Sequence, residues 1–378
     1  MKAFSQIFLL GIRGRFDQCA IVTLVFLKPT SKTIEKNEKK RLRKILTLSL
    51  LLVSMTLFGT FMYHQVQSYL DQKNYLGPGE RITVGNLKYH IYCTGLGTPT
   101  IVMEAGLGEN SLSWYGIQGE LSKRTRTCTY DRAGLGWSDG IDKKYSLDEI
   151  SNDLNILLNN ASVPGPYVLV GHSRGGIYVR NYYKKFSNDV TGIVLVDSTH
   201  EQGVERSYEY LRESYNKQEW QMRFASVLSH LGIIRILKLA DAKYRGDVLP
   251  ENILISKTAV QNLTKSAIAV TNEISVMRGG IQTPLSPPSR LNDLPLIVIS
   301  SGKRIPPDYR VDEIKENLTQ QEKVKIIEYS LQKELANLSS HSKHIFAENS
   351  GHFIMYDEPE LIIDSVESMI HEVRLLKK

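Results

Sequence analysis

The chain is predicted to form an α/β domain on a mostly parallel central sheet flanked by helices, with a helical cap inserted late in the sheet and a transmembrane helix ahead of it. Three observations predict this. From residue 80 onward, short apolar runs alternate with segments of helical spacing, which is the rhythm of βαβ units. That rhythm breaks once, between Asp197 and Leu294, in a long helix-like stretch. Ahead of it all, residues 45–63 form an uncharged apolar run.

The N-terminal part comes first. The 378 residues are 42% hydrophobic and 23% charged, enough apolar side chain to bury a sizeable core. The net charge of +7 is local: residues 1–44 hold 11 Lys and Arg against 3 Asp and Glu, which leaves the remainder near neutral. A near-neutral domain lacks the basic face that nucleic acid needs, so no nucleic acid partner is expected. The run ILTLSLLLVSMTLFGTFMY at 45–63 is long enough to span ~28 Å as a helix, close to the hydrocarbon thickness of a bilayer. Lys39, Lys40, Arg41, Arg43 and Lys44 precede it, and no Lys or Arg follows until Lys73. Positive charge resists translocation, so residues 1–44 are expected in the cytoplasm and the main domain outside it. No A-x-A cleavage site follows, so the helix reads as an uncleaved anchor rather than a signal peptide. A second apolar run, 19–27, is too short to span, and 28–44 reads as a basic tether. Residues 64–79 read as a linker to a domain over 80–378.

Within that domain the elements follow in order. Residues 81–84 and 89–93 suit a hairpin. Strands are expected at 100–103 and 127–130, the second ending on Asp131. Leu147, Ile150, Leu154, Leu157 and Leu158 share one face of a helix over 145–158. A strand at 167–170 and a helix at 175–185 follow, then a strand at 193–196 that ends on Asp197. After the excursion come strands at 296–300 and 343–346, and an amphipathic helix at 359–375. An excursion this long at a strand end reads as a cap, about residues 200–292, over a site at the carboxyl edge of the sheet.

Gly171-His172-Ser173-Arg174-Gly175 lies between the strand YVLV and a helix. A serine hydroxyl is a weak nucleophile. It needs an exposed position, a base to take its proton and donors for the oxyanion that forms. A tight strand–turn–helix elbow supplies the first, and small residues on either side permit the turn. His352, after the last strand, is the candidate base, and chain order Ser, acid, His suits this arrangement. His172 should point sideways and serve packing or hydrogen bonding. The acid must accept from the imidazole N–H and fix its tautomer. Asp197, ending the strand after the nucleophile's own, is the expected acid. Asp308 is the alternative, but it follows its strand only after the loop Gly302 to Pro307. The oxyanion donors are expected to be the backbone N–H groups of Arg174 and of Leu107, in the loop Glu104-Ala105-Gly106-Leu107-Gly108. No zinc-type cysteine cluster is present in the sequence, and no metal or cofactor is expected.

Together these motifs resemble the α/β-hydrolase superfamily, in its capped serine esterase and lipase-like branch. Tyr130-Asp131-Arg132-Ala133-Gly134-Leu135-Gly136-Trp137-Ser138 is similar to the loop after the fourth strand there, whose role is structural. The resemblance covers about residues 80–378, with the motifs in family order. One departure is Ser300-Ser301-Gly302, where the family usually carries an Asp after the penultimate strand. Some lipases carry the acid one strand earlier, which matches Asp197. Ser rather than Asp at the elbow argues against the epoxide hydrolase and haloalkane dehalogenase branches. The resemblance implies a serine hydrolase acting on small-molecule acyl compounds: carboxylic esters, thioesters or lipid acyl groups. Peptidase, carbon–carbon hydrolase and haloperoxidase activities share such triads, and a non-catalytic membrane-tethered binding domain stays open. The family's sheet order also sets the strands of Cys93 and Cys128 side by side. A disulfide is implied if the domain faces an oxidising compartment, with two buried free thiols as the alternative.

Overall fold

The computed structural model describes residues 32–241, 249–282 and 285–376, so the apolar run at 19–27 lies outside the described residues. β1 (Glu80–Val84) and β2 (Leu87–Thr94) form a hairpin closed by Gly85 and Asn86. Gly85 takes φ +62, the left-handed setting that two-residue hairpin turns require. β3 (Thr100–Glu104), β4 (Thr127–Tyr130), β5 (Tyr167–His172), β6 (Val190–Val196), β7 (Leu296–Ser301) and β8 (Ser342–Ala347) complete a sheet of order β1-β2-β4-β3-β5-β6-β7-β8. The β1–β2 and β2–β4 pairs are antiparallel and the rest parallel. Cys93 and Cys128 face each other across β2 and β4 and are bonded.

Side chains alternate between the two faces of each strand, and both faces are covered. Ile101, Val168 and Val194 meet α2 (Tyr115–Leu121) and α11 (Pro359–Leu375), through Ile117, Leu121, Ile362 and Val366. One residue along, Val102, Leu169 and Leu195 meet α3 (Leu147–Asn160), α4 (Gly175–Lys185) and α9 (Gln320–Ala336). α3 opens on a capping box between Ser146 and Glu149, which is why it begins later than its apolar spacing suggests. α9 is an addition to the sequence reading, and it too starts on a capping box, Thr319 with Glu322.

Strand register sets where the chemistry gathers. Glu104 pairs with Gly171, His172 with Val196, and Val196 with Ile299. The next residues, Ser173 and Asp197, therefore leave neighbouring strand ends on the same edge. Between β6 and β7 the chain forms α5 (Gly203–His230), α6 (Ile233–Ile236), α7 (Glu251–Gln261) and α8 (Thr264–Gln282) above that edge. α10 (Ile354–Asp357) follows β8.

The N-terminal helix α1 (Lys32–Asn74) is long and apolar enough to cross a membrane, and that stretch is unburied. It does not stop where the apolar run ends. Residues 64–74, read from sequence as linker, continue the helix, and only the next few residues are irregular. The cause is tertiary, since packing rather than propensity sustains most helices. His64 Nε2 lies 2.8 Å from Thr264 Oγ1, and Arg235 Nη1 lies 2.5 Å from Asp71 Oδ2.

Candidate active site

Ser173 sits between β5 and α4 at φ +53, a backbone setting that costs a non-glycine residue about 1–3 kcal/mol. The surrounding glycines explain how the turn closes. A Cβ on Gly171 would stand 2.8 Å from the Gly175 carbonyl, and one on Gly176 would overlap Ser198 Oγ at 1.6 Å. The elbow holds Ser173 half-buried rather than sealed in the core.

His352 Nε2 lies 3.0 Å from Ser173 Oγ, and His352 Nδ1 lies 2.5 Å from Asp197 Oδ2. With Nδ1–H donating to the carboxylate, Nε2 carries the lone pair that faces the hydroxyl. Two contacts steady the histidine loop. His172 Nε2–H donates to His352 O at 2.8 Å, and Ser301 Oγ–H donates to Ser350 O at 2.8 Å. Burial pulls the His172 imidazole down to about 4, so it is neutral at pH 7. Asp308 is elsewhere: it is exposed on the short turn Pro307–Tyr309.

The loop after β7 contributes a different residue, Arg304. Its Nη1 lies 2.5 Å from Asp197 Oδ2 and 3.0 Å from His352 Nδ1, and its Nη2 donates to Glu328 on α9. The backbone N–H of Ser301 donates to Asp197 Oδ1 at 3.1 Å. Burial opposes ionisation of Asp197, yet Arg304 and the His352 bond hold its carboxyl well below the usual range. Burial pulls the His352 imidazole below its ordinary value. Asp197 works against this, while His172 and Arg304 add to it.

The loop after β3 approaches from the other side. A Cβ on Gly106 would stand 3.3 Å from Ser173 Cβ, so the backbone of this loop lies against Ser173. Arg132 pins it, donating from Nη1 to Ala105 O and from Nη2 to Gly106 O, each at 2.8 Å. In a planar trans peptide the carbonyl and the following N–H point opposite ways, so fixing Gly106 O aims the Leu107 N–H away from Arg132. Arg174 follows the same logic. Ser173 O accepts from Gly176 N at 3.1 Å and from Thr199 N at 2.8 Å, which aims the Arg174 N–H away from both.

The cap holds this loop with buried charge. Glu273 on α8 accepts from Gly108 N at 2.9 Å and from Arg132 Nε at 2.7 Å. Lys257 on α7 donates to Glu109 at 2.7 Å, to Tyr356 Oη at 2.8 Å and to Ser113 Oγ at 3.1 Å. Burial opposes the Glu109 charge, but Lys257 beside it holds the carboxyl down at about 2. A solvent-open cleft of ≈ 540 Å³ is lined by Arg132, Arg174, Tyr178 and Glu273 but not by Ser173 or His352. Asp131, in the loop similar to the family's structural one, accepts from Ser111 N at 2.7 Å and Trp137 N at 3.0 Å. Sequence reasoning missed Arg304, Glu328, Lys257 and Glu273 as neighbours of the site. Among the described residues, no group of three His, Cys, Asp or Glu is placed to hold a metal ion.

A family model for the alpha/beta hydrolase fold matches residues 99–359. An uncharacterized protein of Schizosaccharomyces pombe is 31% identical over 189 residues, covering 42% of this chain and 34% of the relative. The chain thus spans about a third of that relative's length. The uncharacterized protein YqjL of Bacillus subtilis is 26% identical over 263 residues, covering 70% of this chain and 80% of the relative. Among solved structures, the Cif epoxide hydrolase from Acinetobacter nosocomialis superposes at TM-score 0.58 with 14% identity, covering 82% of this chain and 96% of that one. A serine hydrolase of carbazole degradation shares the same fold. The fold is thus shared by proteins of more than one chemistry.

Proposed function

The chain belongs to the α/β-hydrolase family, and within it we propose a serine hydrolase, held on a membrane by α1, that cleaves ester-like bonds through an acyl-enzyme. One observation carries this reading. Ser173 Oγ, His352 and Asp197 form a single relay, with contacts of 3.0 Å and 2.5 Å. Serine at the elbow favours acyl transfer over alkyl-enzyme chemistry, which needs a carboxylate there.

Ser173 Oγ attacks the substrate carbonyl carbon while its proton passes to His352 Nε2. Asp197 stabilises the imidazolium that results. The oxyanion is held by the N–H groups of Leu107 and Arg174. Collapse of the tetrahedral intermediate breaks the bond to the leaving alcohol or thiol, which takes the proton from Nε2. Water then gives a proton to Nε2 and attacks the acyl carbon. The second collapse frees the carboxylic acid and returns the proton to Ser173.

The domain faces away from the cytoplasm. Basic residues crowd the N-terminal side of the apolar run, and the Cys93–Cys128 bond suits an oxidising compartment. Labelling of the full chain in detergent with a fluorophosphonate probe tests the reading. Labelling is expected in the wild type, lost in Ser173→Ala and strongly slowed in Asp197→Asn. A folded wild type that does not label would sink the hydrolase reading and favour a binding domain.

A further inference from the structure

The turn between α5 and α6 reaches the membrane helix. Gly232, at φ +73, packs so closely on α1 that a Cβ there would sit 2.7 Å from Thr60 O and 2.6 Å from His64 Cβ. Thr60 still belongs to the uncharged run at 45–63, within its last turn. At ~1.5 Å per residue, the cap turn therefore stands within about 5 Å of the level at which α1 leaves hydrocarbon. Arg235, just beyond the turn, reaches to the polar side of that level, at Asp71 and Ser68.

Beside this turn the cap is apolar and uncovered. Trp220, Phe224 and Val227 are 76%, 59% and 58% exposed, and their i, i+4, i+7 spacing puts them on one face of α5 as it runs toward the turn. Ile236 and Leu237, 46% and 59% exposed, follow just past the turn in the chain. Single exposed apolar side chains are ordinary, whereas a series of them on one element marks an interaction surface. The indole at its end suits a boundary with an apolar side and a wet side.

Resting on the membrane-anchored reading above, we propose that Trp220, Phe224, Val227, Ile236 and Leu237 form a lipid-docking surface that seats the cap in the interface of the bilayer α1 enters. The occupant is the boundary between phospholipid headgroups and acyl chains. α1 supplies the argument for lipid over any other partner, because it carries the apolar run to the foot of the same surface. The cap that holds the oxyanion loop through Lys257 and Glu273 is then itself seated on the membrane. An amphipathic acyl substrate reaches the cap edge without crossing bulk water.

The test uses the full chain in phosphatidylcholine vesicles, with and without dibrominated phosphatidylcholine as a contact quencher. Emission from Trp220 is taken as the difference between wild type and Trp220→Phe. In the Trp220→Phe background, Leu237→Trp adds a second probe, and Ile314→Trp, at an exposed site ahead of α9, adds a control. A side chain seated ~5–10 Å into the boundary meets the bromines, so emission at positions 220 and 237 is expected to fall about twofold, with position 314 unchanged. Retention of the chain after an alkaline wash reports on the anchor separately. Unquenched probes at 220 and 237 in a retained chain overturn the docking surface and leave the anchor. Unquenched probes in a chain that washes off overturn both. Quenched probes in a chain that washes off support docking and overturn the spanning helix. Blue-shifted emission that bromine leaves untouched means protein covers the surface, a second copy being the simplest case, and the lipid assignment falls. It falls equally if position 314 is quenched as strongly as the other two.

Discussion

Two arginines flank the elbow, and each bridges a carboxylate at a strand end to a carboxylate on a helix. Arg132 joins Glu104, at the end of β3, to Glu273 on cap helix α8. Arg304 joins Asp197, just past β6, to Glu328 on α9. What differs is the third contact. Asp197 also touches the His352 imidazole, whereas Glu273 also accepts the N–H of Gly108 in the loop after β3. Burial differs as well: the Arg132 side chain is 5% exposed and that of Arg304 is 34% exposed. On the proposed function, one charge cluster acts on a proton and the other on the shape of a loop. The same ionic arrangement thus has different neighbours according to which of its carboxylates makes a further contact: the strand-end Asp197 in one, the helix-borne Glu273 in the other.

The strongest way to break this comparison is to neutralise the two strand-end carboxylates in turn. Asp197→Asn is expected to lower kcat by about 10⁴-fold, because it disfavours the Nδ1–H tautomer and removes the counter-charge of the imidazolium. Glu104→Gln is expected to leave kcat within about tenfold, since Glu104 meets Tyr130 and Arg132 rather than the imidazole. Ester turnover by both variants, with circular dichroism to verify folding, checks this. Comparable losses of kcat in the two would erase the distinction between the clusters.

Removing the arginines inverts the ranking. Burial already pushes the Glu104 carboxyl up to about 7 in spite of Arg132. Arg132→Gln strands that carboxyl and Glu273 without their counter-charge, and is expected to cost about 3–5 kcal/mol of stability. Arg304 is the more exposed arginine, and the buried Asp197 keeps Ser301 N–H and His352 as donors, so Arg304→Gln is expected to cost less than Arg132→Gln. Urea unfolding midpoints of the two variants would decide it. A larger loss for Arg304→Gln would mean that exposure is the wrong guide.

How much of this was legible in the sequence follows from the same distinction. Gly171, Ser173, Gly175 and Gly176 announce the elbow because a tight turn is a local constraint, written in neighbouring residues. The closing of β6 on Asp197 was visible too, because an apolar run and its last residue are adjacent in the chain. Arg132 was in view within a loop similar to a structural one, but its grip on Ala105 O and Gly106 O was not. Arg304, Glu328, Lys257 and Glu273 gave no signal. Their partners lie far away in sequence, and long-range ion pairs leave no periodicity behind. Residues 64–74 belong here too: the helical conformation of this polar stretch, read as linker, rests on Arg235 and Thr264, which meet it only in space.

A subtler change sharpens the loop-shaping side. Glu273→Gln keeps the volume but weakens the charged bond to Arg132 and the grip on Gly108 N. A displacement of about 1 Å at an oxyanion donor costs up to about 10²-fold, so kcat for a simple ester is expected to fall roughly 10–100-fold. The rate of labelling by fluorophosphonate should fall in parallel, because it uses the same donors. An unchanged kcat would show that Arg132 alone suffices to hold the loop.

The smallest effect expected is a shift along the pH axis at Arg304. Burial, His172 and Arg304 all disfavour the imidazolium of His352, and Asp197 favours it, with a net lowering. A base with a lowered pKa is neutral and competent at pH 7, and it is lost only as pH falls through its depressed value. The acid limb of kcat/KM is therefore expected below the ~6.5 of a free imidazole. Arg304→Gln removes a positive charge 3.0 Å from Nδ1, so protonation becomes easier and the limb moves up in pH. Arg304→Lys keeps the charge and should keep the limb near its wild-type position, even if the loop packs less well. Glu328→Gln leaves Arg304 less neutralised, so the limb should move down instead. These opposite signs separate an electrostatic role from a merely structural one, because loosened packing has no reason to shift the limb in two directions. Profiles that fall in height without moving would reduce Arg304 to a strut between Asp197 and α9.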